Sequence, residues 1–319
     1  MYYRIIGTVS IFLFCALITC AQSSKDIERL KEFNYQKDII YKTIDGDTLD
    51  MILFLPNVKA GTKMPVMLYT HGGGWGGGNK LNILGAPFIG TLRTLLNNGI
   101  ACATIEYRLT RVGRSTAYDC VVDCKDAARF LMKNAEKYAL DVDRMGVWGG
   151  SAGGHLSLMT ALADNKSFKG DESLQKYKPD FLCVVSYYPL TSFVNPEYLK
   201  GSNFESPQRF IPILGGLLSE NQDLAKLLSP VDWINKKSTP ILLLHGELDK
   251  ILPIQQSIYL EKVGNAKEAD IELLRVKNGG HSFNGENIFP SMNGINKIAA
   301  EYIIEKLMIE KNKRNINAK

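Results

Sequence analysis

Residues Val147-Trp148-Gly149-Gly150-Ser151-Ala152-Gly153-Gly154-His155 constrain this chain more than any other stretch. The run begins apolar, as the end of a buried strand does. It crosses glycines with one serine among them, then continues as Leu156-Ser157-Leu158-Met159-Thr160-Ala161-Leu162, which reads as a helix. Gly149-x-Ser151-x-Gly153 between a strand and a helix is the pattern of a sharp turn that lifts a serine hydroxyl off the end of a sheet. Side chains two residues either side of that serine would collide, and glycine removes them. The helix that follows aims its free N–H groups at the same point, which suits a developing negative charge. A bare Gly-x-Ser-x-Gly is also an ordinary flexible loop. The flanking strand and helix, and the motifs elsewhere in the chain, favour the chemical reading.

Serine is a poor nucleophile without a base in hydrogen-bond reach and a third group to orient that base. The chain has four histidines, His71, His155, His245 and His281. His281 sits in Asn278-Gly279-Gly280-His281-Ser282-Phe283, a glycine-flanked loop after the last long strand, and is the candidate base. A carboxylate is expected between serine and histidine in chain order. His245-Gly246-Glu247-Leu248-Asp249 follows a buried strand and offers Asp249, with Glu247 as the alternative. His71-Gly72-Gly73-Gly74-Trp75 follows another buried strand. Its amides can approach a tetrahedral oxyanion unhindered, so Gly73, Gly74 and the Ala152 amide are the candidate oxyanion hole, and Trp75 is placed against the acyl group. The chain carries no G-x-x-x-x-G-K-[ST] or G-x-G-x-x-G phosphate fingerprint and no H-E-x-x-H. No metal and no organic cofactor are expected.

Strand patterns fall at 39–44, 49–55, 65–70, 100–105, 145–148, 181–186, 241–244 and 271–276. Helical patterns fall at 85–97, 117–138, 254–263 and 295–309. The first two strands flank Asp45-Gly46, a hairpin turn signal. Continuous apolar strands alternating with helices predict an α/β fold, a mostly parallel sheet covered on both faces with an antiparallel opening edge. Residues 191–229 are too long for a simple connection and rich in proline and aromatic residues. They are expected to form an inserted cap over the sheet edge, or a surface elaboration.

These motifs together resemble the α/β-hydrolase superfamily, and within it serine esterases of the hormone-sensitive-lipase type and bacterial carbohydrate esterases of the acetylxylan and feruloyl type. Glu106-Tyr107-Arg108-Leu109, Asp143 to Gly154, His245-Gly246-x-x-Asp249 and Gly280-His281 carry the likeness beside the His71 motif. It spans about Tyr41 to Leu307. The family often has Asp before Tyr-Arg-Leu and Ala-Pro after it, where this chain has Glu106 and Thr110-Arg111. The resemblance implies hydrolysis of short acyl, acetyl-type esters through an acyl-enzyme, on small-molecule or oligosaccharide esters such as xylan fragments. A peptidase of the same fold and a hydrolase-like binding protein are the competing readings. Peptidases related to prolyl oligopeptidase usually carry a β-propeller, for which 319 residues leave no room, and a binding protein normally lacks a member of the triad.

Residues 1–21 are expected to be an export signal: Arg4, then an apolar run from Ile5 to Ile18, then small residues. Leu17-Ile18-Thr19-Cys20 resembles a lipidation site, with Thr19 an unusual neighbour for Cys20, so a membrane link is expected only if Cys20 is lipidated. The expected location is therefore periplasmic, secreted or lipid-anchored. Residues 22–38 read as a polar lead-in, 39–310 as the hydrolase domain and 311–319 as a basic tail. Net charge is +5 with basic residues dispersed, which argues against a nucleic-acid face. Oligomeric state is left open. Cys102 and Cys183 read as buried small hydrophobes. Cys120 and Cys124, four apart on a helix, read as filler in preference to a disulfide.

Overall fold

The computed structural model describes residues 25–309. The expected export signal at 1–21, Cys20 and the basic tail lie outside them. Residues 25–34 form a unit of their own, with a short helix over 25–30. The second unit begins at Tyr35, inside the stretch read as a lead-in, because the first strand starts four residues earlier than its apolar pattern. Its opening residues, Tyr35 to Asp38, alternate too little to be read as a strand.

Eight strands make one sheet: β1 (Tyr35–Ile44), β2 (Asp47–Phe54), β3 (Met64–Thr70), β4 (Ala101–Ile105), β5 (Leu140–Gly150), β6 (Phe181–Tyr187), β7 (Ile241–Gly246) and β8 (Ile271–Val276). Their spatial order is β1-β2-β4-β3-β5-β6-β7-β8. β1 and β2 pair antiparallel, as do β2 and β4, and every pairing from β4 onward is parallel. The hairpin turns on Asp45 and Gly46, both with positive φ (50° and 80°), the backbone that two-residue hairpins favour.

Among the described residues, five helices of ten residues or more cover the sheet: α1 (Ala86–Asn97), α2 (Ala117–Lys133), α3 (Ala152–Leu162), α4 (Gln255–Ala266) and α5 (Met292–Ile304). Alternation along each strand sends side chains to two layers. Val66 and Leu68 of β3 join Val121, Leu156 and Leu260 in one core. Tyr69, one residue on, meets Phe88 of α1 across 5.2 Å on the other face. α1 and α5 pack together there, joined by a 2.8 Å bond from Thr91 N–H to Asn296 Oδ1. α2 is five residues shorter than its pattern. It is closed at its start by a Thr116/Asp119 capping box and ends at Asn134.

Under the first core lies a buried charge cluster. Lys42 Nζ reaches Asp123 and Asp126, both at 2.7 Å. Arg108 binds Asp123 through Nε and Nη2, at 2.8 and 3.0 Å, and Arg129 binds Asp126 at 2.8 Å. Every charge there has an opposite partner, the condition under which buried ions are tolerated. Cys102, Cys120, Cys124 and Cys183 are buried and stand as thiols.

Between β6 and β7, residues 191–229 fold into short helical turns, among them Pro196–Leu199, Pro207–Phe210 and Gln222–Leu227. Phe193, Phe204 and Phe210 are buried. This segment lines a mainly apolar pocket of about 430 Å³, open on one side, with Leu199, Phe204, Phe210 and Leu218 in its walls. Phe193, Phe204 and Phe210 of this segment belong to the buried core.

Candidate active site

Parallel strands gather their carboxyl ends on one edge of the sheet, where open α/β sheets place their sites. β5 ends there, and the chain turns into α3 within one residue. That residue, Ser151, has φ 59° and ψ −123°, a conformation costing about 1–3 kcal/mol for a residue with a side chain. The turn survives because its neighbours hold it. Ser151 N–H donates to the Tyr187 carbonyl (2.9 Å), and His155 N–H donates to the Ser151 carbonyl (3.0 Å). A Cβ on Gly153 would stand 2.0 Å from the Thr70 carbonyl oxygen, so only glycine lets β3 and the turn approach.

His281 arrives from the loop after β8. Its Nε2 lies 3.0 Å from Ser151 Oγ and its Nδ1 2.7 Å from Asp249 Oδ2. The sequence places the two residues 130 and 32 positions from His281. Two main-chain bonds fasten the loops that carry Asp249 and His281. Glu247 N–H donates to the Val276 carbonyl (3.0 Å) and Leu248 N–H to the Gly279 carbonyl (2.8 Å). Glu247 itself is exposed, so of the two carboxylates Asp249 is the one at the imidazole.

Asp249 is surrounded by donors. Its Oδ1 accepts from Ile251 N–H (2.8 Å) and Leu252 N–H (3.0 Å). Its Oδ2 also faces His245 Nε2 at 3.4 Å. Burial alone would raise this carboxyl. The His245 and His281 rings outweigh burial and hold it well below the usual carboxylate range. The sequence shows His245 as a motif member after a buried strand, with no role of its own. Its Nε2 faces two acceptors, Asp249 Oδ2 and the Leu252 carbonyl (2.8 Å), which puts a proton on that nitrogen and leaves Nδ1 to Ser257 Oγ at 2.7 Å. Tyr188 supports the His281 ring from the side, centroid to centroid 4.7 Å.

Gly73 (φ 124°) and Gly74 (φ 61°) follow β3 in left-handed backbone. Gly72 lies directly against the serine turn: a Cβ there would stand 2.7 Å from the Gly150 carbonyl oxygen and 3.4 Å from Ser151 Cβ. Ala152 is the first residue of α3, a position whose N–H has no acceptor within the helix. Gly72 of the glycine loop and Ala152 at the start of α3 thus both adjoin Ser151.

Trp75 departs from its expected place. It is 1% exposed, with φ 61°, and packs against Phe193 and Phe204 of the 191–229 segment. Its indole N–H donates to His155 Nδ1 (3.1 Å). The ring anchors the glycine loop to the 191–229 segment and leaves no surface for an acyl group. A glycine loop ending in tryptophan reads the same in sequence whether the ring faces in or out.

A nucleophile, a base and an orienting carboxylate in one relay are parts of an acyl-transfer site. The BD-FAE family matches residues 50–263, from β2 into α4, and so takes in the glycine loop, Ser151 and Asp249. The chain belongs to the BD-FAE family. Beyond it, the chain is similar to esterase LipQ of Mycobacterium tuberculosis, 26% identical over 254 residues, covering 77% of this chain and 56% of LipQ. It is also similar to the probable carboxylic ester hydrolase LipM of the same organism, at 28% over 212 residues, covering 63% and 45%. The chain thus spans about half the length of these relatives. Among solved structures, esterase Est2 of Thermogutta terrifontis superposes with TM-score 0.69 at 19% identity, covering 86% of this chain and 92% of that one. A truncated carbohydrate esterase from gut microbiota superposes with TM-score 0.70 at 21%, covering 86% and 96%. The fold is that of the α/β-hydrolase esterases.

Proposed function

We propose that this chain is a serine esterase that removes short acyl groups, acetyl foremost, from carbohydrate esters. The observation that carries the proposal is the continuous relay Ser151 Oγ–His281 Nε2 and His281 Nδ1–Asp249 Oδ2, at 3.0 and 2.7 Å. In this reading Ser151 Oγ attacks the ester carbonyl as His281 Nε2 takes its proton. The carbonyl oxygen becomes an oxyanion, met by the amides of Gly73, Gly74 and Ala152, each such donor typically stabilising the transition state by about 3 kcal/mol. The C–O bond to the alcohol then breaks, and His281 returns the proton to the departing oxygen. Water repeats the cycle on the acyl-enzyme, with His281 again as base, and releases the acid and free Ser151. Asp249 stays ionised throughout, fixing the tautomer and balancing the imidazolium.

Two likenesses support the substrate class. Est2 has been solved with propionate and with butyrate bound, which are short acids, and a carbohydrate esterase shares the fold. Export by way of residues 1–21 belongs to the same proposal, and fractionation of the producing cell tests it. For the chemistry, the wild-type protein should release p-nitrophenol from p-nitrophenyl acetate and Ser151→Ala should not. Equal release by both would remove the assignment. Acetylated xylo-oligosaccharides, set against feruloyl and long-chain aliphatic esters, test the substrate class. Preference for the aliphatic esters would overturn the carbohydrate reading and leave the esterase standing.

A further inference from the structure

Of the three tryptophans, Trp233 alone reaches solvent. Trp75 and Trp148 are 1% and 0% exposed, whereas Trp233 is partly exposed at the end of the short helix Pro230–Trp233. Its indole N–H donates to the Leu227 carbonyl (2.8 Å), and the Phe168 ring packs beside it, centroids 6.3 Å apart. The polar atom of the ring is thus spent and its orientation fixed. What remains for a ligand is apolar ring surface. Trp233 is one wall of an open, mainly apolar pocket of about 270 Å³ between the helices Gln222–Leu227 and Pro230–Trp233, lined also by Asp223, Lys226, Leu227 and Asp232. No residue of the relay or the glycine loop lines it.

Three charged side chains stand around that ring. Asp223, Lys226 and Asp232 are exposed, and among the described residues none of their side chains makes a hydrogen bond or an ion pair. Burial raises the Asp232 carboxyl, and Lys226 and Lys267 act on it only from a distance. Two carboxylates disfavour an anion in the pocket, and the Lys226 ammonium beside them counts against a cation. Mixed signs with unspent donors and acceptors suit a neutral ligand rich in hydroxyls, each of which can donate to a carboxylate or accept from the ammonium. A pyranose ring supplies both halves of the match. Its hydroxyls lie at the edge, and its C–H bonds form an apolar face whose positive hydrogens suit the negative face of an indole. The volume falls just below the range of drug-sized ligands, which fits one ring of a chain that otherwise lies in solvent.

We propose that Trp233, with Asp223, Lys226 and Asp232, forms a second, non-catalytic site that holds a neutral sugar ring of an oligosaccharide. A chain held there keeps its esters near Ser151 at raised effective concentration. That consequence rests on the carbohydrate-ester reading of the relay, whereas the binding itself does not.

The probes are unesterified xylohexaose and cellohexaose, which offer the relay nothing to cleave. Tryptophan fluorescence of the full chain should shift to the blue on titration with one or both, because stacking strips water from the solvent-facing indole, and calorimetry should give the same midpoint. Trp233→Phe should abolish the spectral shift and weaken binding. Since Trp233 also ties Leu227, a second variant leaves the ring in place. Asp223→Ala combined with Lys226→Ala removes two exposed, unpaired side chains and should weaken binding about tenfold, as expected for the loss of two modest hydrogen bonds. Neither shift nor heat with either sugar at millimolar concentration would overturn the proposal. So would a shift that persists in Trp233→Phe, wild-type affinity in the double variant, or a response to tetramethylammonium or benzoate in place of the sugars. If the wild type hydrolyses no ester, these measurements still decide the sugar site, and the esterase reading alone falls.

Discussion

The Trp75 indole N–H donates to His155 Nδ1, which fixes the one proton of that imidazole on Nε2, where it meets the Leu228 carbonyl at 2.7 Å. One neutral ring thus ties the glycine loop, the start of α3 and the end of the 191–229 segment together. It has no room for a second proton, because Nδ1 already accepts. Burial pushes His155 down to about 4, against which the Leu228 carbonyl pulls weakly upward. In the unfolded chain the ring titrates near 6.5. Between these values the unfolded state binds more protons than the folded one, so stability rises with pH across that window. The full shift corresponds to about 3 kcal/mol, complete above about 6.5 and lost as pH falls through about 4. Urea unfolding of wild type from pH 4 to 7 should show the slope. His155→Gln, which offers the same donor and acceptor without a titration, should be flatter. Parallel slopes for the two proteins would refute the argument.

Asp249→Asn should leave the fold standing and lower kcat on p-nitrophenyl acetate by about three to four orders of magnitude, since the amide can stabilise the wrong imidazole tautomer. The wild-type carboxylate sits below its unfolded value. Its contribution to stability is therefore present above about pH 4 and lost only as pH falls toward its lowered folded value. A drop in kcat of less than tenfold would show that Asp249 does not orient His281.

Gly73→Ala tests the loop opposite Ser151. Its φ of 124° is hostile to alanine, and the new Cβ would stand 2.2 Å from the Gly77 carbonyl oxygen. The backbone must shift, and with it the Gly73 N–H. Loss of one such donor costs about 10²–10³ in kcat. Steady-state kinetics should show that loss with the α/β circular dichroism preserved. Unchanged turnover would exclude this amide from the oxyanion hole.

Asp123→Asn probes the charge cluster beneath the core. The carboxylate accepts from Lys42 Nζ (2.7 Å) and from Arg108 N–H, Nε and Nη2 (3.0, 2.8 and 3.0 Å) at zero side-chain exposure. An amide leaves two buried cations short of an anion, which typically costs about 3–5 kcal/mol. The urea midpoint should fall accordingly. A loss under about 1 kcal/mol would mean that water or a neighbouring carboxylate compensates.

The parts of this site that sequence reveals are those whose constraint is local. Ser151 needs its glycines two residues away on either side, and so announces itself. β3, β6 and β7 are continuous apolar runs because both faces are covered, and their positions were readable to within a few residues. Asp249 and Glu247 sit on one loop with similar chemistry. What separates them is the docking of that loop on Gly279, a contact made only in three dimensions. The roles of His155 and Trp75 depend on partners 73 and 80 positions away, so nothing near either residue discloses them. His71 and Glu106 were both visible as motif members. The 3.6 Å approach of their side chains was not, because it arises from β3 and β4 lying side by side.

The loops bearing Asp249 and His281 are stitched by main-chain amides and carbonyls at residues 247, 248, 276 and 279. Such stitches are indifferent to the side chains above them. Leu248, 59% exposed on that rim, gives its N–H to the stitch and leaves its side chain in solvent. Side chains on that margin can therefore differ while the backbone that carries Asp249 and His281 stays in place.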